Sequence, residues 1–239
     1  MDVMLRFQPV KAFPFAGAVI TTLLLANSAY AANLINDGGF ELPVVGPGGF
    51  ETGNQVFTVG QTIDSAWTVI GSSAGNVAVT PSGETDIGGI TYLAEEGSQF
   101  IDLTGRLDRG AAIGVQQSFS TISGQQYTLS FYLGDLNNPA YSPHNGTASA
   151  LVQLNGVLFQ TATNSESTGV TPGWEQFSYD FVAMGPTTSL SFISNSVNGV
   201  ALNGLDNVVV DSVSPEPATY GFLTLGLGIL ALLSKRRLS

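Results

Sequence analysis

The chain has 239 residues, of which 18 are acidic and 7 basic, and a formal net charge of −11. An acidic surface repels phosphate backbones, so nucleic acid is excluded as a partner. There is no cysteine and only one histidine, which excludes disulfides and zinc sites built from thiolates or histidine clusters.

Residues 1–31 have the features of a secretory signal peptide. Arg6 and Lys11 precede an apolar segment over residues 12–26. The Ala29-Tyr30-Ala31 sequence then places small residues at the two positions that a signal peptidase requires. We therefore expect export of the chain, with cleavage directly after this segment.

Residues 32–213 favour an all-β domain. Short runs of alternating polar and apolar residues recur between turn-forming residues, and no long window has helical periodicity. In residues 127–133 the odd-numbered side chains would face the core, while Thr128, Ser130 and Tyr132 would face outward. About ten short strands of this kind predict an antiparallel two-sheet β-sandwich or jelly roll.

The boundaries of these runs predict individual elements. Asn155-Gly156 joins two runs and predicts a hairpin with a type I′ turn. Turn-forming residues predict loops at 43–53, 81–89 and 137–146. Further strands are predicted at 67–70, 76–80, 99–103, 113–119, 147–154 and 204–210.

Five segments of this domain carry a family resemblance. They are residues 33–41 (NLINDGGFE), 116–119 (QQSF), 124–131 (GQQYTLSF), 173–177 (GWEQF) and 205–208 (LDNV). In order and spacing they resemble DUF642-like and other carbohydrate-binding modules with the galactose-binding-like jelly-roll fold. The resemblance implies a non-catalytic domain that binds an extracellular polysaccharide.

The same resemblance implies a structural calcium ion. In many modules of this fold, Ca²⁺ lies where the first and last strands meet, and Glu41 and Asp206 match its carboxylate ligands. Calcium prefers six to eight oxygen ligands and would neutralise carboxylates that otherwise repel one another. The alternative is that Glu41 is solvated and Asp206 caps a turn.

Aromatic side chains in loops, beside hydrogen-bonding groups, are the candidates for sugar contacts. These candidates are Tyr141 with His144 and Asn145 in the long polar loop, Tyr92, and Trp67. Core packing is the alternative for each aromatic ring. Trp174, directly before a strand, is expected in the core or at the sandwich edge.

A nucleophile motif is also present but does not predict an enzyme. Residues 71–75 fit Gly-x-Ser-x-Gly, which requires a helix after the serine. A strand pattern follows instead. We therefore expect no catalytic activity.

Residues 214–239 combine three features in a fixed order. Pro215, Glu216 and Pro217 precede an uncharged apolar run over residues 218–233, and Lys235, Arg236 and Arg237 follow it. This arrangement resembles the PEP-CTERM sorting signal of Gram-negative bacteria that produce exopolysaccharide. The resemblance implies a transmembrane helix with a cytoplasmic basic end, processed by an exosortase-type membrane enzyme.

These features together predict an exported protein of a Gram-negative cell envelope, outer surface or biofilm matrix, anchored transiently in the inner membrane. The alternative is a structural matrix protein that associates with copies of itself and binds no sugar specifically. A polysaccharide-degrading enzyme is the least favoured class.

Overall fold

The computed structural model describes residues 32–46, 53–85, 89–106, 112–136, 147–164, 169, 171–196, 202–213 and 226. The predicted signal peptide and, apart from Gly226, the predicted sorting signal lie outside these residues. Within the described ranges, no helix is both long and apolar enough to span a bilayer.

The described residues form 14 β-strands. In chain order they are β1 (Gln55–Thr58), β2 (Thr62–Ile63), β3 (Trp67–Gly71), β4 (Asn76–Pro81), β5 (Glu84–Thr85), β6 (Thr91–Tyr92), β7 (Gln99–Asp102), β8 (Ile113–Ser120), β9 (Gln126–Asp135), β10 (Ser149–Leu154), β11 (Val157–Thr163), β12 (Gly173–Val182), β13 (Thr187–Ser194) and β14 (Asn203–Ser212).

Two antiparallel sheets of six strands enclose the main core. Sheet A has the order β1-β4-β7-β14-β9-β12, and sheet B has the order β11-β10-β13-β8-β3-β2. A separate hairpin pairs β5 with β6. The architecture confirms the predicted all-β, two-sheet jelly-roll fold.

Alternation along the strands determines which side chains enter the core. Leu129, Phe131 and Leu133 of β9 are fully buried between the sheets, and the Phe131 ring lies 4.8 Å from that of Phe192 in sheet B. Burial of each such side chain contributes about 1.5–3 kcal/mol. The intervening Tyr132 faces outward and is half-buried.

The local turn prediction is also confirmed. Asn155 and Gly156 have φ angles of 52° and 75°, as a type I′ turn requires at both central positions. The predicted loop at 81–89 is wrong at two points, because Pro81 ends β4 and the loop contains β5. A strand of two residues has no alternation for a sequence pattern to detect.

A second, smaller core covers part of the outer face of sheet A. Because Ile101 of β7 faces the main core, its neighbour Phe100 faces the opposite side. Phe100 is buried there with Ile90, Tyr92, Leu136 and Leu202. The segment that carries β6 therefore closes over this part of the sheet.

The register of β12 on β9 defines the two ends of the sandwich. Gly173 pairs with Asp135 at one end, and Val182 pairs with Gln126 at the other. We call the first the Trp174 end. The second is the Val213 end, because β14 finishes there and the Val213 amide donates to the Gln126 carbonyl at 3.0 Å.

Candidate functional site

A fixed indole ring lies on the outer face of sheet A. Trp174 of β12 is opposite Gly134 of β9, which is opposite Gly204 of β14. A Cβ atom on either glycine would lie 2.8 Å from an indole carbon, so only glycine leaves room for the ring. The indole Nε1 donates to the Leu93 carbonyl at 3.0 Å, and the ring is partly buried against Phe100, 5.5 Å away.

Two further side chains extend this surface along the same face. Gln176 is opposite Tyr132, and Tyr132 is opposite Asp206. Tyr132 is half-buried and Gln176 is exposed. We call Trp174, Tyr132 and Gln176 the aromatic strip; an apolar ring face beside an amide is the combination that stacks on and hydrogen-bonds a sugar.

Beside this strip, two carboxylates hold one short backbone segment from both ends. Asp206 Oδ2 accepts from the amides of Glu95 and Glu96 at 3.0 and 3.1 Å. Glu41 Oε1 accepts from the amides of Ser98 and Gln99 at 2.7 and 3.2 Å. We call this arrangement the carboxylate junction.

The Gln99 side chain completes the junction from inside. Its Nε2 donates to the carbonyls of Phe40 and Pro43 at 2.6 and 2.8 Å. Its Oε1 accepts from the Val45 amide at 2.9 Å. The segment that follows the predicted opening motif is thereby attached to β7.

The junction is rich in carboxyl groups. Asp206 is fully buried, and burial raises its pKa to about 7, against the lowering effect of its amide donors. Burial also raises the pKa of Asp37, whose Oδ2 is buried without a hydrogen-bond partner. A buried carboxylate oxygen without a partner is costly unless a proton or a cation neutralises it.

The two predicted calcium ligands lie near one glycine. A Cβ atom at Gly39 would lie 3.8 Å from Asp206 Oδ1 and 3.8 Å from Glu41 Cγ. Across the described ranges, no three acidic or histidine side chains gather as a metal cluster. Backbone carbonyls and water would have to supply the remaining ligands of an ion with six to eight oxygens.

Two of the predicted sugar contacts, Trp67 and Tyr92, are buried in the structure and do not lie on its surface. Trp67 is 0% exposed and its Nε1 donates to the Asp37 carbonyl at 3.0 Å, so it is a core residue of β3. Tyr92 is 4% exposed in the second core. Neither ring presents a face to solvent. Burial of a large aromatic ring is favourable, so a ring close to a turn in the sequence can still pack in the core.

Tyr141, His144 and Asn145 lie outside the described residues. Their segment leaves the described chain at Leu136 and returns at Thr147, both beyond strand ends at the Trp174 end. Trp174 itself is partly buried against the second core, as expected of an edge position. The alternation of residues 127–133 predicts that Tyr132 faces outward. No local sequence pattern predicts that Tyr132 lies on the same face as Trp174.

Comparison with known proteins identifies the family. A family described as "Protein of unknown function (DUF642)" matches residues 33–210, which is most of the chain. The chain belongs to the DUF642 family. No curated protein matches it significantly.

Solved structures of carbohydrate-binding modules are similar to this DUF642 chain. A structure described as "CBM4 structure and function" has 15% identity to this chain and a TM-score of 0.41. The match covers 75% of this chain and 99% of the CBM4 chain. TmCBM61, in complex with β-1,4-galactotriose, has 11% identity and a TM-score of 0.42 over 77% and 100% of the chains. The CBM22-1 xylan-binding domain from Paenibacillus barcinonensis Xyn10C has 18% identity and a TM-score of 0.39 over 68% and 95%.

Proposed function

We propose that this protein is an exported, non-catalytic carbohydrate-binding module whose ligand lies across the aromatic strip. The observation that carries the proposal is the Trp174 indole, held over a glycine pair and followed on the same open face by Tyr132 and Gln176. Stacking surfaces with a few adjacent hydrogen-bonding groups are how shallow sites bind sugar rings.

The charge of this face favours a neutral polysaccharide. Glu95, Asp180 and Asp211 are on or beside the outer face of sheet A. The only basic residue in the described ranges is Arg106. Acidic polysaccharides would therefore be repelled unless divalent cations bridge the charges.

Affinity electrophoresis of the whole chain against a panel of neutral polysaccharides tests the binding proposal. Tyr132→Ala and Gln176→Ala should each weaken retention by about fivefold or more, as expected for a central contact. Tyr179→Ala is the matched control, because Tyr179 is a similarly half-buried tyrosine on the opposite face of sheet A. Retention that neither strip variant changes would overturn the proposed site.

We further propose that the carboxylate junction binds a structural calcium ion through Glu41 and Asp206. The ion would neutralise buried charge and hold the segment before β7, which lies against the aromatic strip through Leu93. Specific binding to the folded state raises stability by RT ln(1 + [L]/Kd). Thermal unfolding in calcium and in chelator should therefore differ.

Two substitutions separate this effect from general stability. Glu41→Gln and Asp206→Asn should each abolish the calcium-dependent rise in Tm, whereas Asp180→Asn, an exposed carboxylate on β12, should retain it. Equal melting temperatures in calcium and chelator for the unaltered chain would remove calcium from the proposal. They would leave the sugar site untouched.

We propose that residues 214–239 are a PEP-CTERM sorting signal, which an exosortase-type enzyme processes after residues 218–233 have inserted in the inner membrane. The three-part order of Pro215-Glu216-Pro217, apolar run and basic end supports this. The product would belong to the envelope or extracellular matrix of a Gram-negative bacterium. Loss of membrane association after deletion of residues 215–239 is the expected result, tested by fractionation of producing cells.

A further inference from the structure

Exposed apolar side chains are concentrated at the Val213 end. Of the ten large hydrophobic residues that are exposed in the described ranges, six lie there. They come from the β8–β9 and β12–β13 turns, the β10–β11 hairpin and the end of β14. We call them the apolar end: Ile122, Val157, Leu158, Val182, Met184 and Val213.

Their exposure is large for aliphatic side chains. Met184 is 89% exposed, Ile122 70% and Val157 69%. A groove of about 510 Å³ runs among them, between the edge strands β11 and β12. A concentration of exposed apolar side chains around a groove is typical of a contact site.

Hydrogen bonds hold the turns of the apolar end together. The Gly124 amide donates to the Ala183 carbonyl at 2.8 Å, and Ser123 Oγ donates to the Met184 carbonyl at 3.2 Å. Gln125 Nε2 donates to the Val213 carbonyl at 2.8 Å. The point where the chain leaves the domain is therefore fixed within the apolar end.

The sequence after Val213 indicates what covers this surface. The uncharged apolar run begins at Ala218, so only residues 214–217 separate it from the domain. Four residues span about 14 Å even when fully extended. If the apolar run is inserted in a bilayer, these four residues keep Val213, and with it the apolar end, close to the lipid headgroups.

We propose that the apolar end rests on the surface of a phospholipid bilayer while the tail is inserted. Its residues would enter the boundary between headgroups and acyl chains, as the apolar face of an interfacial segment does. The one carboxylate that lines the groove, Asp180, accepts from Thr128 Oγ1 at 2.7 Å and Gln126 Nε2 at 3.2 Å. Arg106, the single described basic residue, lies at the Trp174 end, where its backbone amide donates to Asn76 Oδ1 at 2.8 Å. No described basic side chain at the apolar end would therefore attract anionic lipid.

This inference rests on the proposed membrane insertion of the tail, and single-cysteine labelling tests the two separately. The chain has no cysteine, so one bimane fluorophore can be placed at will in the whole chain, reconstituted in phosphatidylcholine vesicles that carry nitroxide-labelled lipid. Leu227→Cys reports on the tail. Met184→Cys and Leu158→Cys report on the apolar end, and Val44→Cys is the control because Val44 is 80% exposed elsewhere.

We expect the nitroxide lipid to quench the Met184 and Leu158 labels at least about twofold more than the Val44 label. Equal quenching of all three, with the Leu227 label in the bilayer, would overturn the inference and leave the tail proposal standing. A Leu227 label in water would overturn both. In detergent micelles, the Met184 label could instead become more protected from an added quencher as the protein concentration rises. That result would overturn the inference and assign the surface to a second copy of the chain.

Discussion

At the scale of single residues, Gly97 shows how closely the carboxylate junction is packed. Gly97 has a φ of +64°, and a Cβ atom there would clash with Glu41 Oε1. We expect Gly97→Ala to lower the free energy of unfolding by about 1–3 kcal/mol, since it adds backbone strain and displaces the carboxylate. Urea unfolding followed by tryptophan fluorescence measures this change.

The control for Gly97 is another glycine with a similar backbone. Gly83 has a φ of +87°, and no heavy atom lies within 4 Å of the position that a Cβ atom would take there, so Gly83→Ala adds only the left-handed strain. Its smaller loss of stability isolates the displacement of Glu41. If the two variants unfold at the same urea concentration, the contact between residue 97 and Glu41 does not contribute to the loss of stability.

At the scale of elements, the opening segment is attached to the centre of sheet A. The Leu34 amide donates to the Val210 carbonyl at 2.9 Å. Asn33 adds bonds from its side chain: Oδ1 accepts from the amides of Ile35 and Val210 at 2.9 and 3.0 Å, and Nδ2 donates to the Val208 carbonyl at 3.2 Å. One side chain therefore joins the first segment to the last strand.

We expect Asn33→Ala to destabilise the domain by about 1–3 kcal/mol, because partly buried backbone groups lose their partners. Asn36→Ala is the control: Asn36 contacts Gln117 through its backbone amide at 2.8 Å, which the substitution keeps. Denaturant unfolding compares the two. Equal midpoints would show that the Asn33 side chain does not hold the segment on β14.

The elements also show where sequence patterns suffice. The sequence predicts β9 and the β10–β11 hairpin because alternation and Asn155-Gly156 are local signals. The family resemblance predicts Glu41 and Asp206 as partners in one site, and in the structure both accept hydrogen bonds from amides of residues 95–99. Their amide partners lie far along the chain, at residues 95–99, and such long-range backbone bonds leave no local pattern. For the same reason no local pattern shows that Trp67 is buried, because its Nε1 donates to the Asp37 carbonyl, far along the chain.

At the scale of the whole molecule, the two proposed contact surfaces lie at opposite ends. Trp174 is near the start of β12 and Val182 is its last residue. A strand of ten residues is about 30 Å long. A bilayer at the Val213 end would therefore leave the aromatic strip open to polysaccharide on the far side, so the two proposals are mutually consistent.

The buried carboxyl groups make the stability of the whole domain depend on pH. Burial raises the pKa of Asp102 and Asp135 to about 6 each and that of Asp206 to about 7. An unfolded aspartate has a pKa of about 3.9, so the folded state binds these protons more tightly. Between the pKa of the unfolded aspartate and the raised pKa values of the folded state, the free energy of unfolding therefore falls as pH rises.

We therefore expect the chelator-treated chain to have a higher free energy of unfolding at pH 5 than at pH 8, measured by urea titration at each pH. Asp206→Asn should reduce the difference, because an amide does not ionise. Calcium should also reduce it, since a bound cation favours the ionised form of Asp206. A free energy that is higher at pH 8 than at pH 5 without calcium would show that these carboxyl groups are stabilised as anions by the fold itself.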